Sequence, residues 1–350
     1  MKVQLLLLGL LLIITIIVII IKNSKKEYKV YQLNDNFDIS TDSDELYPPF
    51  NELFAIDNNI HKADIVFFTD YAEIDSHLNN LKLYNKYIYA ICGSDLMASK
   101  SNLARFFKND QRYIAQTFIL GKDIPAKLEE GKIYFLKKNI QRQEGNLITK
   151  DIDYIKNKAY QDGYVVCQEL LQDPYLVNGR KINMRIYMLV ICNHNDIKFY
   201  IYNNGFMYYT PNKFKPDSVE RDDNITTGYI DRKVYEENPL TIQDFYEFLG
   251  SEKANLLKTN MINMFKTFKD LYSDALLNLN KDIIQYRFNV FGVDVAPDGK
   301  LATKIMEVNK APDLSYKDKR DSEVKLNMVK DMLSLVGIRK GHKNNFIAIV

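Results

Sequence analysis

Residues 178–191 read NGRKINMRIYMLVI, and the alternation inside this stretch decides the fold. Lys181, Asn183 and Arg185 interleave with Ile182, Met184 and Ile186. A period of two places the three polar groups on one face of a β-strand and the three apolar ones on the other. The apolar face is core. The polar face sets two cations and an amide at consecutive same-side positions. Two readings stand on these residues alone: a rigid anion site, or a solvated strand face. Long hydrophobic strands on both sides favour the first. YVVCQELL at 164–171 precedes the stretch, and KFYIY at 198–202 follows it, with a turn expected at Asn203-Asn204-Gly205.

Working outward, buried strands are expected at 63–70 and 87–91, a helix over 98–108, and a strand-like segment at 113–120. The strand at 132–138 runs into a polar loop, 139–146, that contains Gly145. Helices are expected near 241–249, 253–279 and 321–335. Residues 289–295 and 302–309, joined through Pro297-Asp298-Gly299, read as a hairpin. The tail 339–350 is basic, then apolar. No repeat at a fixed period is present. The pattern is α+β, with mostly antiparallel sheets covered by helices.

Composition removes several classes. Of 350 residues 46% are hydrophobic and the net charge is only +2, which excludes disorder for most of the chain. The 47 basic residues are almost balanced by 45 acidic ones, so a dedicated nucleic-acid partner is excluded. Three cysteines without a CxxC pair argue against a disulfide framework and a zinc ribbon, and the four histidines are scattered.

Residues 5–21 read LLLLGLLLIITIIVIII without a charge. At about 1.5 Å per residue this covers most of a bilayer core of roughly 30 Å. A single transmembrane helix is expected, the rival being a cleaved signal peptide; the run is long for one and no small-residue cleavage site follows. Lys22, Lys25, Lys26 and Lys29 follow the run and only Lys2 precedes it, so the remainder is expected on the cytoplasmic side. Residues 23–62 are polar and turn-rich, and read as a tether.

Two further constellations carry chemistry. Lys137 and Lys138 end a strand beside the Gly145 loop, where backbone amides can cradle phosphate oxygens; the alternative is a surface lysine pair. Glu307 and Asn309, at i and i+2, share a face of the last hairpin strand, and Asp294 lies on its partner. Two carboxylates and an amide oxygen suit Mg²⁺, although sequence does not fix the register that would bring Asp294 to that face. Thr226, Thr227 and Lys325 carry no signal by themselves.

Together these pieces resemble the tubulin–tyrosine ligase-like family of ATP-grasp enzymes. YIYAICGSD (87–95) with Lys100 resembles its N-terminal lobe, and TFIL (117–120) its entry to the central lobe. FLKK (135–138) through Gly145 resembles the phosphate-loop strand, and QELL (168–171) the adenine hinge. NGRKINMRIY (178–187) resembles the signature GRKFDxRxY, and FGVDV with EVNKAP the closing signature FGxDx…EVNxxP. The resemblance implies an ATP-grasp fold with an N-terminal lobe at 63–115, a central lobe at 116–179 and a C-terminal lobe at 180–338. These follow the anchor at 1–22 and the tether, and precede the tail at 339–350.

The resemblance also implies roles. Lys137, Gly145 and Lys181 would hold the ATP phosphates, with Asn183 standing where the family has Asp. Gln168, Glu169, Leu170 and Leu171 would line the adenine, and Thr226 and Thr227 fall in the family's HLTN loop. Asp294, Glu307 and Asn309 would coordinate Mg²⁺. Arg185 would hold the γ-phosphate or an acyl phosphate, with Arg185 and Lys181 as the catalytic cations. Lys325 would hold the carboxylate of the amino-acid substrate. Tyr208 stands where the family has a substrate-binding Arg, and the HLTN loop reads NITT (224–227). The implied activity is an ATP- and Mg-dependent carboxylate–amine ligase that adds a free amino acid to an acidic protein tail such as that of tubulin. The competing expectation is a catalytically degenerate, membrane-tethered module that binds nucleotide or an acidic tail. A third, an unrelated structural protein, requires every ordered match to be chance.

Overall fold

The computed structural model describes residues 29–33, 48–51, 53–56, 59, 62–68, 87–121, 128–139, 145–193, 196–281, 285–339 and 344–350. The expected anchor at 5–21, most of the tether, and residues 140–144 of the Gly145 loop lie outside them. Among the described residues no helix is long and apolar enough to cross a membrane.

Fourteen strands run through the described chain: β1 (Lys29–Leu33), β2 (Ala55–Ile56), β3 (Ile65–Phe68), β4 (Tyr87–Tyr89), β5 (Thr117–Ile119), β6 (Tyr134–Lys137), β7 (Asn146–Thr149), β8 (Val166–Glu169), β9 (Leu176–Val177), β10 (Arg180–Asn193), β11 (Asp196–Tyr209), β12 (Tyr286–Pro297), β13 (Thr303–Asn309) and β14 (Phe346–Ile349). They form two sheets. The small one, in the order β5-β8-β6-β7, is antiparallel throughout. The large one runs β14-β11-β10-β12-β4-β3-β1-β2, with β13 added to β12 and β9 to β10. Its C-terminal strands pair antiparallel, whereas β1 to β4 pair parallel with one another and with β12. The N-terminal strands and the closing hairpin therefore share one edge of β12 end to end, β4 on Tyr286–Phe288 and β13 on Gly292–Pro297.

Helices cover both faces of the large sheet. The helix expected over 98–108 is two, α1 (Ser94–Ala98) and α2 (Lys100–Phe106). Ser99 separates them: it is extended, and its side chain accepts from the Asn102 N–H to cap the second. Then come α3 (Ile242–Leu249), α4 (Ser251–Leu279) and α5 (Lys319–Leu335). Ala254, Leu257, Met261, Met264, Phe265, Phe268, Tyr272 and Leu276 make the buried stripe of α4. They pack with Ile182, Met184 and Ile186 of β10 and with Val293 and Val295 of β12. The opposite face buries Tyr187, Leu189 and Phe206 against Met328, Val329 and Met332 of α5. The polar alternation of 181–185 thus faces the α5 side, where the site forms.

One further expectation is corrected. Asn203-Asn204-Gly205 is not a turn. β11 continues through it, and the β10–β11 pairing jumps from Ile186↔Gly205 to Met188↔Ile201, a bulge with two extra residues on β11. The bulge is held by its neighbours: Gln243 Nε2 donates to Asn203 O at 2.6 Å, and the Gly205 N–H donates to Asn204 Oδ1 at 2.9 Å. Glycine is required, because a Cβ at 205 would stand 2.1 Å from the Arg185 carbonyl oxygen. The apolar end of the tail forms a strand. β14 pairs with β11, and buried Asp331 of α5 accepts from the Asn345 backbone N–H and side-chain amide at 3.1 and 2.9 Å.

Candidate active site

Arg185, Asp294 and Glu307 lie in one row across three adjacent strands: Arg185 pairs in register with Asp294, and Asp294 with Glu307. Residues opposite one another on antiparallel strands project to the same face. Arg185 Nε donates to Asp294 Oδ1 at 2.6 Å, and a second nitrogen to Oδ2 at 3.1 Å, a two-pronged pair. Burial raises the Asp294 carboxyl above its usual range despite Arg185. Burial alone would lower Arg185, but Asp294 holds it well above its ordinary value. Lys100, at the start of α2, reaches Glu307 Oε1 at 3.3 Å. Asn309 stands opposite Gly292, two residues past Glu307 on the same face.

A second bulge sets this row. Counting back from the turn, Ala296 pairs with Lys304 and Val295 with Ile305. Regular pairing would put Met306 opposite Asp294. The register instead slips by one, so that Glu307 takes that place. The extra residue of a bulge is left out of the ladder. The Met306 carbonyl accepts from Lys137 Nζ at 3.1 Å, which ties the small sheet to the large one beside Glu307.

Lys137 is buried and also donates to Gln168 Oε1 at 2.8 Å. Gln168 in turn donates to Thr117 Oγ1 at 3.0 Å. Burial pushes the Lys137 ammonium down to about 8, against the opposing pull of Glu307. Lys181 is equally buried and is also pushed down to about 8 by burial. It donates to Asn224 Oδ1 at 3.3 Å and lies over the Phe214 ring. It lies four positions from Arg185, roughly 13 Å along a strand. Asn183 lies between them on the same face, in register with Tyr208. Lys138 turns away from Lys137, over the Tyr164 ring and against Gly145, which has a positive φ of 66°.

The hinge segment is largely engaged by the protein. The Glu169 N–H donates to Gln116 O and the Leu170 N–H to Ile133 O, while Gln172 Nε2 donates to Leu170 O. The Glu169 side chain takes Lys132 at 3.1 Å. Among the described residues the Leu171 N–H has no partner, which makes it the segment's available donor. Ile225 packs with Leu170 and Ile133, and the Thr227 N–H donates to Tyr209 O, so the loop carrying Thr226 and Thr227 bridges the two sheets.

Tyr208 and Lys325 fall elsewhere, in a shallow, narrow cleft next to the row. Phe206, Tyr208, Tyr235, Asp313, Lys317 and Lys325 line it. The Arg185 guanidinium lies 5.1 Å from the Tyr208 ring centre, so the two places touch through that ring. Lys325 is buried; it pairs with Asp321 at 2.8 Å and donates to Ser315 O at 2.5 Å. Sequence reading assigned no role to Lys100, Asn224, Asp313 or Lys317, since each lies in a segment where polarity alone signals solvent.

What the row can do follows from its donor set. Two carboxylates in register and a neighbouring amide are hard oxygen donors of the kind Mg²⁺ takes, and the residues fit that ion. Among the described residues no three His, Cys, Asp or Glu side chains cluster to hold a metal; the set is completed by Asn309. Buried Lys137 and Lys181 lack a carboxylate within ion-pair distance among the described residues, which suits them to an incoming anion.

The model of the tubulin-tyrosine ligase family matches residues 74–345. The chain is similar to the mouse tubulin polyglutamylase TTLL6, 23% identical over 307 residues, covering 78% of this chain and 36% of the relative. It is similar to the human tubulin polyglutamylase TTLL7, 24% identical, covering 78% of this chain and 34% of the relative. A probable beta-tubulin polyglutamylase of Tetrahymena thermophila is 24% identical, covering 81% and 26%. The chain spans only about a third of the length of these curated relatives.

Proposed function

The chain belongs to the tubulin-tyrosine ligase family, and on that premise we propose that it is an ATP- and Mg²⁺-dependent ligase that joins an amino acid to a protein carboxylate. The observation that carries the proposal is the row Arg185–Asp294–Glu307, with Lys137 anchored at its side through Met306. The names of the relatives suggest glutamate as the amino acid and an acidic tubulin tail as the acceptor.

The acceptor carboxylate oxygen attacks the γ-phosphorus of ATP, the bond to the β-phosphate oxygen breaks, and ADP leaves. The amine of the amino acid then attacks the acyl carbon, expels phosphate and loses a proton, leaving an amide. Mg²⁺ held by Asp294, Glu307 and Asn309 would supply neutralisation of phosphate charge. Lys137 and Lys181 bind the phosphate oxygens, Arg185 orients the transferred group, and Gln168 fixes the Lys137 ammonium from the far side. Phosphoryl transfer asks mainly for positioning and charge stabilisation, which these residues provide. The Leu171 N–H is the donor for the adenine, and the loop of Thr226 and Thr227 closes over the nucleotide.

Residues 5–21 are proposed as a membrane anchor that keeps the site on the cytoplasmic side. The test of the ligase is mass spectrometry of an acidic tubulin-tail peptide after incubation with the chain, ATP, Mg²⁺ and mixed amino acids. A mass increase that disappears with Glu307→Gln supports the reading; an unmodified peptide, or turnover unaffected by Glu307→Gln, refutes it. A second reading, a nucleotide-binding module without turnover, draws on Tyr208 and on the internal pairing of Lys325. It predicts nucleotide binding with an unmodified peptide.

A further inference from the structure

Both side-chain partners of buried Lys181 come from the loop 210–224 that follows β11. Asn224 Oδ1 accepts from its ammonium at 3.3 Å, and the Phe214 ring centre lies 5.4 Å from it. The loop is tied to the backbone around the lysine. The Thr210 N–H donates to Lys181 O at 3.2 Å, Arg180 donates to Thr210 O at 2.9 Å, and the Phe214 N–H donates to Gly179 O at 2.8 Å.

The Asn224 amide has one orientation. Its Nδ2 donates to Ser218 O at 2.8 Å and to Glu220 O at 3.0 Å. Turned over, the amide would set its oxygen against two carbonyl oxygens and its NH₂ against an ammonium. The oxygen therefore faces Lys181. The carboxylates of the loop are kept away from the lysine. Asp223, the residue before Asn224, is buried and faces into the loop. It accepts from Ser218 Oγ at 2.7 Å and from Asn212 Nδ2 at 3.0 Å, and pairs with Lys215 at 3.3 Å. Asp217 pairs with Lys150 at 3.4 Å. Among the described residues neither these two nor Glu220 and Asp222 lie within ion-pair distance of Lys181. A carboxylate in the place of Asn224 would neutralise the cation before any ligand arrived. An amide oxygen takes one of its three N–H groups, fixes its direction and leaves its charge whole.

We infer that Asn224 is a positioning residue of the nucleotide site: it aims the Lys181 ammonium at the phosphates and, being neutral, leaves the full charge to them. This rests on the reading above in which Lys181 binds phosphate. Asp223 organises the loop, and Asn224 carries the loop's hold to the lysine.

The test is calorimetric titration of the full chain with Mg²⁺ and a nonhydrolysable ATP analogue at pH 8.5. Buffers of different ionisation enthalpy give affinity and proton uptake together. Asn224→Leu and Asn224→Asp match the amide in size, and both lose the bonds to Ser218 O and Glu220 O. They differ in what they offer Lys181: no acceptor, or a carboxylate. Asn224→Leu weakens binding about tenfold, the loss expected for one charge-assisted contact left unaimed. It keeps an uptake of about 1.5 protons, because both buried lysines stay uncompensated before binding. Asn224→Asp weakens binding by about tenfold or more, and uptake falls to about 0.75, because Lys181 is charged and paired before the nucleotide arrives. In the Lys181→Met background Asn224→Leu has no further effect on affinity. Asn224→Ser, one bond too short to reach Lys181, gives the same tenfold loss should Asn224→Leu lose its thermal transition. Equal affinity and equal uptake in the Leu and Asp variants would assign Asn224 to the loop alone and overturn the inference, as would wild-type affinity in Asn224→Leu or Asn224→Ser. A wild-type chain that does not bind the analogue overturns the nucleotide reading itself, and the inference with it.

Discussion

Proton uptake on nucleotide binding is the most direct measure of the two buried ammonium groups. Burial pushes Lys137 and Lys181 down to about 8 from an ordinary 10.5. A nearby anion favours the charged form, and nucleotide phosphates are fully ionised well below this range. Binding therefore drives both lysines back toward their ordinary value. At pH 8.5 a lysine with a pKa of about 8 is roughly one-quarter protonated; returned to about 10.5 it is nearly full, so each takes up about 0.75 proton and the pair about 1.5. At pH 6.5 both are charged before and after binding, and uptake falls to about 0.1 or less. The assay is calorimetric titration of a nonhydrolysable ATP analogue in buffers of different ionisation enthalpy, where the slope of observed heat against buffer enthalpy counts protons. Lys181→Met should remove about half of the slope at pH 8.5. A slope near zero at both pH values, or one indifferent to Lys181→Met, refutes the placement of these groups against the phosphates. The free protein carries the same linkage with a fixed sign. Between about 8 and 10.5 the unfolded chain holds more protons than the folded one, so stability rises with pH through that window. Below about 8 the cost of Lys181 is fully present, and Lys181→Met should stabilise the nucleotide-free protein by up to about 3 kcal/mol at pH 7.

Gly205→Ala drives a methyl group into the Arg185 carbonyl oxygen, and should cost about 2 kcal/mol or more, read as a lower denaturant midpoint. Asp331→Ala leaves the Asn345 backbone N–H and side-chain amide without their acceptor; a loss of about 1–3 kcal/mol and faster hydrogen exchange in β14 are expected. Extraction of membranes at high pH should leave the chain in the membrane fraction if residues 5–21 span the bilayer, and release it otherwise.

The parts of the fold that were legible in the sequence follow a simple period. Residues 181–185 alternate, so their division between a polar side and a core side could be read directly, and β10 places Ile182, Met184 and Ile186 under α4 accordingly. The stripe of α4 and the extent of α3 follow the helical period in the same way. The row of Arg185, Asp294 and Glu307 depends on one departure from period, in β13, and a second lies nearby in β11; neither leaves a mark in composition. Asn203-Asn204-Gly205 has the residue types of a tight turn, and its residues are equally suited to a bulge where two backbones approach closely. Which of the two forms is decided by partners distant in sequence, Gln243 and the segment before β14. On the other side, nothing in the sequence around Met306 announces that β13 slips by one residue. That slip determines whether Glu307 joins Asp294 or faces away from it, because one step of register exchanges the two faces of a strand. Both bulges lie near the same short stretch: one falls between Ile186 and Met188, the other immediately past Asp294. Regular pairing of β13 with β12 would have kept that ladder whole and turned Glu307 away from Asp294. The β13 slip gives up ladder bonding at Met306, leaves its carbonyl for Lys137, and brings Glu307 opposite Asp294, which regular β10–β12 pairing already sets beside Arg185. The β13 slip thus places Glu307 and the Met306 carbonyl together beside the buried Lys137, and it is this irregularity, not the regular ladder, that sets the geometry of the candidate site.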